Sequence, residues 1–85
     1  MTNDVFIDVS EILTHIVGNN TIPRNIRRVA DESNVILADE EKDETLRASE
    51  VILKLDEISN DPNVPVHART LIWEILSKLE GLKSS

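Results

Sequence analysis

Thr21-Ile22-Pro23, with Arg27 four positions beyond the proline, has a close counterpart in Asn63-Val64-Pro65, with Arg69 at the same distance. Shifting the sequence by 42 positions, from Pro23 to Pro65, superposes the two stretches. The same shift aligns further pairs, namely Val9 with Val51, Leu13 with Leu55, Ile16 with Ile58, Val29 with Leu71, and the loop residues Asn19 with Asp61. A period of this length is typical of one supersecondary unit used twice, so we expect two similar hairpins.

Apolar residues recur at helical spacing on both sides of each proline, which predicts four helices. We expect the first helix to be capped by Thr2 or Asn3 and to end at Gly18 in a left-handed conformation. The second is expected to begin at Pro23, with Thr21 as its cap.

The second hairpin follows the charged stretch 39–43, which connects it to the first. Its first helix ends at a turn-rich break over residues 59–63, and its second begins near Pro65 and ends near Gly81. No segment alternates apolar and polar residues for long enough to indicate a strand.

The fold class is therefore predicted to be all-α, a four-helix antiparallel bundle built from two similar helical hairpins in a single domain over residues 1–85. The alternative is a HEAT-like hairpin pair stacked side by side. A solenoid needs three or more repeats to bury its faces, so the closed bundle is favoured.

Composition restricts the classes of function. The 85 residues include no cysteine, which excludes disulfides and thiolate metal sites. The formal net charge of −7 makes general nucleic-acid binding unlikely, because phosphates are repelled by an acidic surface. No apolar run approaches the length of a membrane span, and the start of the chain lacks the pattern of a signal peptide, so we expect a cytoplasmic protein.

Two longer stretches, Ile22–Arg28 and Leu55–Pro65, stand together with His67-Ala68-Arg69-Thr70 and Ile72-Trp73. In this combination the chain resembles a family of short archaeal proteins known only as an uncharacterised family of the UPF type, over almost its whole length. The resemblance implies an all-helical bundle in an archaeal cytoplasm. It implies no activity, cofactor or site residue.

Basic residues cluster at the start of the second helix. Arg24, Arg27 and Arg28 share one side of it, near the end where the helix dipole disfavours positive charge. Arg27 has a counterpart in Arg69, so we expect both to bind carbonyls or carboxylates of a neighbouring turn. Arg24 and Arg28 have no arginine counterpart and are the candidate anion-binding residues.

No catalytic or metal constellation is found. The acidic run over residues 39–44 lacks the spaced ligands and central glycine of a calcium loop and is interpreted as a solvated connection. His15 and His67 stand in no triad pattern, and the apolar stripes offer no inward carboxylates for a di-metal centre. We therefore predict no enzymatic activity and no cofactor.

Four apolar residues lie away from the stripes. At 100° per residue, Leu46 and Leu53 fall about 150° from the main stripe of the third helix, and Val66 and Trp73 are similarly displaced on the fourth. Either a wide core covers these residues, or they form a second apolar surface that binds a partner.

Taken together, the sequence predicts a non-catalytic structural or protein-interaction module. Its partner would be a second copy of the chain or another protein, bound through Leu46, Leu53, Val66 and Trp73. The alternative is an anion- or nucleic-acid-binding module that uses the Arg24 and Arg28 patch.

Overall fold

Four helices account for most of the chain in the computed structural model, which describes the backbone of residues 3–84 and the side chains of residues 3–82. They are α1 (Asp4–Val17), α2 (Arg24–Ala38), α3 (Glu44–Ser59) and α4 (Val66–Ser84), and no strand occurs among the described residues. The prediction of an all-α fold is confirmed.

The helices close into a ring. Each helix packs on the one that follows it, and α4 packs back on α1, while in the diagonal pairs α1–α3 and α2–α4 no two described Cα atoms lie within 8 Å of each other. The short connections make consecutive helices antiparallel. The radius of gyration is 12.0 Å, about the value expected for a compact domain of this length. The closed bundle is thus the observed arrangement, and the stacked hairpin pair is not.

One apolar core runs along the centre of the ring, and all four helices contribute to it. Several buried residues are pairs from the 42-residue shift: Val9 and Val51, Leu13 and Leu55, Ile22 and Val64. The remaining buried apolar residues are Phe6, Ile16, Ile26, Ala30, Leu37, Ala48, Ala68, Ile72, Ile75 and Leu79. The one buried polar residue among those described is Ser33, whose hydroxyl donates to the Val29 carbonyl at 2.8 Å.

The starts of α1 and α2 are capped differently. Asn3 caps α1, because its side-chain oxygen accepts from the Val5 N–H at 2.8 Å, as predicted. Thr21 does not cap α2. Its hydroxyl is bonded to Asn19 and His67, and Pro23 itself precedes the first helical residue without a side-chain cap. The expected role of Thr21 was wrong because the preceding turn uses its hydroxyl.

Neither glycine has a left-handed conformation. Gly18 has φ −84° and ψ −1°, and no described residue has a positive φ, so the left-handed ending expected there was wrong. The helix α4 continues through Gly81 to Ser84 instead of ending near Gly81. Leu82 packs against the core, and this contact stabilises the helical conformation beyond Gly81.

Candidate interaction surface

Each of the three connections between helices contains a turn of the same type. Each begins with an Asn or Asp whose side-chain oxygen accepts from the backbone N–H two residues later, a local bond typical of these residues. The N···O distances are 2.9 Å for Asn19 and Thr21, 3.1 Å for Asp39 and Glu41, and 2.8 Å for Asp61 and Asn63. In each turn the carbonyl of the same Asn or Asp also accepts from the N–H three residues later.

An arginine lies eight positions after the first residue of each turn and donates to a backbone carbonyl beside it. Arg27 donates through Nε to Ile22 at 3.0 Å, and Arg69 through Nη2 to Asp61 at 3.4 Å. The structural role predicted for Arg27 and Arg69 is confirmed.

Arg47 is the third arginine of this kind, and the sequence analysis missed it. Its Nη1 donates to the Leu37 carbonyl at 2.9 Å, and its guanidinium lies 5.0 Å from the centroid of the Phe6 ring. No proline marks this turn, but the eight-residue spacing from Asp39 could have identified it. Because this turn lies outside the 42-residue shift, the shared turn alone does not establish a duplicated hairpin, and the internal repeat stays a prediction.

A groove of about 460 Å³ opens beside Arg47 at this end of the bundle. The amide of Asn3 donates to the Glu44 carboxylate at 2.8 Å and joins the starts of α1 and α3 there. The groove is lined by Asn3, Phe6, Leu37, Ala38, Glu40, Glu44 and Arg47. These residues include no nucleophile paired with a base. Within residues 3–84, no three His, Cys, Asp or Glu side chains are grouped closely enough to hold a metal ion.

A hydroxyl–imidazole contact occurs at the opposite end of the bundle. Thr21 Oγ1 lies 2.9 Å from Nε2 of His67 and 2.6 Å from Oδ1 of Asn19. The Thr21 hydroxyl donates to Asn19, and it can accept from Nε2 of His67 in the tautomer that carries the proton on that nitrogen. The contact ties the α1–α2 turn to α4, and a bond from Asn25 to Asp61 at 3.3 Å adds a second tie.

Arg24 and Arg28 are both exposed on the first turns of α2. Neither makes a hydrogen bond or an ion pair with the described residues, in contrast to Arg27 between them. Their availability for an anion is consistent with the sequence analysis, and anion binding stays a prediction.

All four off-stripe residues lie at the surface. The exposed fraction is 46% for Leu46, 64% for Leu53, 83% for Val66 and 58% for Trp73, so a wide core does not cover them. Because α3 and α4 are antiparallel neighbours, Leu53 and Trp73 lie at about the same height along the bundle. We call the outer surface of this helix pair, with its four apolar residues, the Trp73 face.

The sequence analysis missed two other exposed apolar residues. Ile7 on α1 is 42% exposed and Val35 on α2 is 66% exposed. Single apolar residues at a surface are normal, and these two come from the other helix pair. The same angular calculation that identified Leu53 would have identified Val35, which lies away from the stripe of α2.

Acidic side chains on α3 and α4 are exposed, whereas the Lys and Arg side chains described on these two helices are partly buried. Asp56, Glu57 and Glu74 are exposed on α3 and α4 and make no ion pair with the described residues. The described cations of the two helices are bound elsewhere. Lys54 pairs with Glu32 of α2 at 3.3 Å, Lys78 pairs with Asp8 of α1 at 4.0 Å, and Arg47 and Arg69 donate to turn carbonyls. The face is therefore apolar with an acidic rim.

The fold and surface define a closed four-helix bundle with structural turns and one apolar face. The chain belongs to the uncharacterised protein family UPF0147, whose profile matches residues 1–82. It is 63% identical over 83 residues to the UPF0147 protein of Methanothermobacter thermautotrophicus, covering 98% of this chain and 81% of that protein. Over 85 residues it is 41% identical to a UPF0147 protein of Thermoplasma volcanium, covering 100% of this chain and 96% of that one.

Solved structures share the fold. The crystal structure of a UPF0147 protein from Thermoplasma acidophilum matches with a TM-score of 0.91 and 41% identity, covering 95% of each chain. A second crystal structure, of the unknown-function protein MMP1188, matches with a TM-score of 0.87 and 45% identity, covering 91% of this chain and 88% of that one. The predicted family resemblance is thus confirmed, and the family brings no assigned function.

Proposed function

We propose that this protein is a non-catalytic interaction module that binds a protein partner through the Trp73 face. The observation that carries the proposal is the exposure of Trp73 and Leu53, at 58% and 64%, at about the same height on one pair of adjacent helices. Tryptophan is a frequent anchor of protein interfaces, and burying its large ring against a partner would release apolar surface from water.

The turns support the same conclusion. Arg27, Arg47 and Arg69 are bound to backbone carbonyls, and the Thr21 hydroxyl is bonded to Asn19 and His67. These polar groups have partners within the bundle, whereas the four apolar side chains of the Trp73 face are exposed.

Affinity capture from an archaeal extract, combined with sedimentation of the purified protein, tests the proposal. The variants are Trp73→Ala and Leu53→Asp, and the matched control is Val35→Asp, because Val35 and Leu53 are similarly exposed on different helices. We expect a captured protein, or a self-associated species, that the control retains and both Trp73-face variants lose. A strict monomer that captures the same proteins in all variants would contradict the proposal.

The second candidate function is anion or nucleic-acid binding by Arg24 and Arg28, favoured because neither guanidinium is bonded to a residue that the structure describes. The formal charge of −7 opposes it. Salt-dependent binding of RNA or DNA that is lost in the Arg24→Glu, Arg28→Glu double variant would support it. No binding at low salt would exclude it.

We also propose that the module acts in the cytoplasm. No described helix combines the length and the apolar character that crossing a bilayer requires. Cell fractionation with immunodetection of the protein tests the proposed compartment, and recovery outside the cytoplasmic fraction would contradict it.

A further inference from the structure

We infer that the Trp73 face takes a basic, amphipathic helical segment of another protein rather than a second copy of this chain. The inference rests on the proposed function, since it names the partner class for the same surface. It is carried by two observations on α3 and α4, namely the spacing of the exposed apolar residues and the exposed carboxylates beside them.

The spacing fits a helix. Leu46 and Leu53 are seven positions apart on α3, and Val66 and Trp73 are seven apart on α4. Seven helical residues rise about 10.5 Å, so each helix presents two apolar side chains two turns apart. A partner helix with apolar residues at i, i+3, i+4 and i+7 repeats at the same distance and could lie along the face.

The acidic residues at the edge of the Trp73 face indicate that the partner is positively charged. Asp56 lies on α3 between the heights of Val66 and Trp73, and Glu74 adjoins Trp73 in sequence. Both carboxylates are exposed and make no ion pair with the described residues, and no Lys or Arg described on α3 or α4 is as exposed as they are. Lysine or arginine beside the apolar stripe of a partner would complement them.

A second copy is disfavoured by the same charges. In a two-fold dimer each partner contributes the same patch, so the carboxylates of Asp56, Glu57 and Glu74 would be doubled at the interface. Each chain also carries a net charge of −7, which adds long-range repulsion.

Trp73 provides the reporter for a direct test, because it is the single tryptophan and the chain has no tyrosine. The probe is a synthetic 18-residue peptide of leucine and lysine with helical amphipathic spacing and no aromatic residue. Its two controls are a shuffled peptide of the same composition and a peptide with glutamate in place of lysine. Emission of Trp73 reports burial of the indole, and titration calorimetry gives the Kd.

We expect the basic amphipathic peptide to shift Trp73 emission to shorter wavelength, with a Kd that rises with salt. The Asp56→Asn, Glu74→Gln variant should bind about fivefold more weakly, the effect of two surface ion pairs. The matched control is Glu11→Gln, Asp31→Asn, which changes the net charge equally at exposed acids of α1 and α2 and should bind like the unmodified protein.

Three results of the peptide titrations would overturn the inference: equal weakening in both double variants, equal binding of the shuffled or acidic peptide, or no binding at low salt. Dimerisation of the pure protein that buries Trp73 would overturn it while leaving the proposed function intact. If the capture and sedimentation experiments also show no dependence on Trp73, the proposed function fails as well.

Discussion

The arginines of the turns show how one residue type makes bonds of unequal quality. Arg27 donates through Nε at 3.0 Å, whereas Arg47 and Arg69 donate through a terminal nitrogen and leave Nε buried without a partner. A buried donor without an acceptor costs free energy that offsets much of the bond made by its neighbour. Arg27 should therefore contribute more to stability than Arg69.

Replacing each arginine by methionine, which keeps much of the aliphatic packing, tests this order. We expect Arg27→Met to lower the free energy of unfolding by about 1–2 kcal/mol and Arg69→Met by less than about 1 kcal/mol. Urea titration followed by circular dichroism measures both. Arg24→Met, at an exposed position without bonds, serves as the control and should change little; a larger loss for Arg69 than for Arg27 would contradict the argument.

Neighbouring residues of α4 differ in the same way. Ile72 is fully buried and Trp73 is 58% exposed, although they are adjacent in sequence. We expect Ile72→Ala to destabilise the protein by about 2–5 kcal/mol, because it leaves a cavity in the core. Trp73→Ala should cost under about 1 kcal/mol in the same urea measurement. Comparable losses would mean that the indole belongs to the core after all.

At the scale of the elements, the sequence analysis was most successful where local pattern and packing agree. Helical spacing identified all four helices, and Asn3, one of the two residues expected to cap α1, does so, while Thr2 lies outside the described residues. It failed at Gly18, Thr21 and Gly81, where the ends are decided by contacts distant in sequence. His67 bonds to Thr21 across the bundle, and the core holds Leu82 beyond Gly81.

The same reasoning explains which parts of the surface were predictable. Angular position separated Leu53 and Trp73 from the core stripes, because a helix fixes the direction of its side chains, but whether a wide core covers them was decided by the structure. The acidic rim was not predictable in this way. Knowing that Lys54 and Lys78 pair with α2 and α1 requires the arrangement of the helices in space.

The corrected glycine conformations give a prediction at this scale. In Gly81→Ala the new methyl group would meet no atom within 4 Å, and alanine favours a helix, so we expect stabilisation by about 0.5–1 kcal/mol. In Gly18→Ala the methyl group would meet the Thr14 carbonyl at an ordinary 3.6 Å, and φ is negative, so no loss is expected. Thermal unfolding of both variants measures these changes in stability. Marked destabilisation by Gly18→Ala would contradict the negative φ and indicate a left-handed conformation at Gly18.

At the scale of the whole molecule, ring closure distributes the core over all four helices. Val9, Ala30, Val51 and Ile72 are each almost fully buried, and each comes from a different helix. Neither hairpin can unfold without exposing core residues of the other hairpin to water. We therefore expect unfolding to be a single cooperative transition.

The transition can be followed by two independent probes. Trp73 emission reports α4, while far-ultraviolet circular dichroism reports all four helices. We expect the two urea curves to coincide within error. Separate midpoints would show that the hairpins unfold independently and that the contacts between them contribute little.

The packing of α4 on α1 also has a topological consequence. Residues 3 and 84 lie at the same end of the bundle on adjacent helices, which is the geometry that circular permutation requires. A fourth connection with the same Asx residue, and an arginine eight positions later, would turn the open chain into a cycle. The order in which the helices are synthesised would then become a matter of where that cycle is cut.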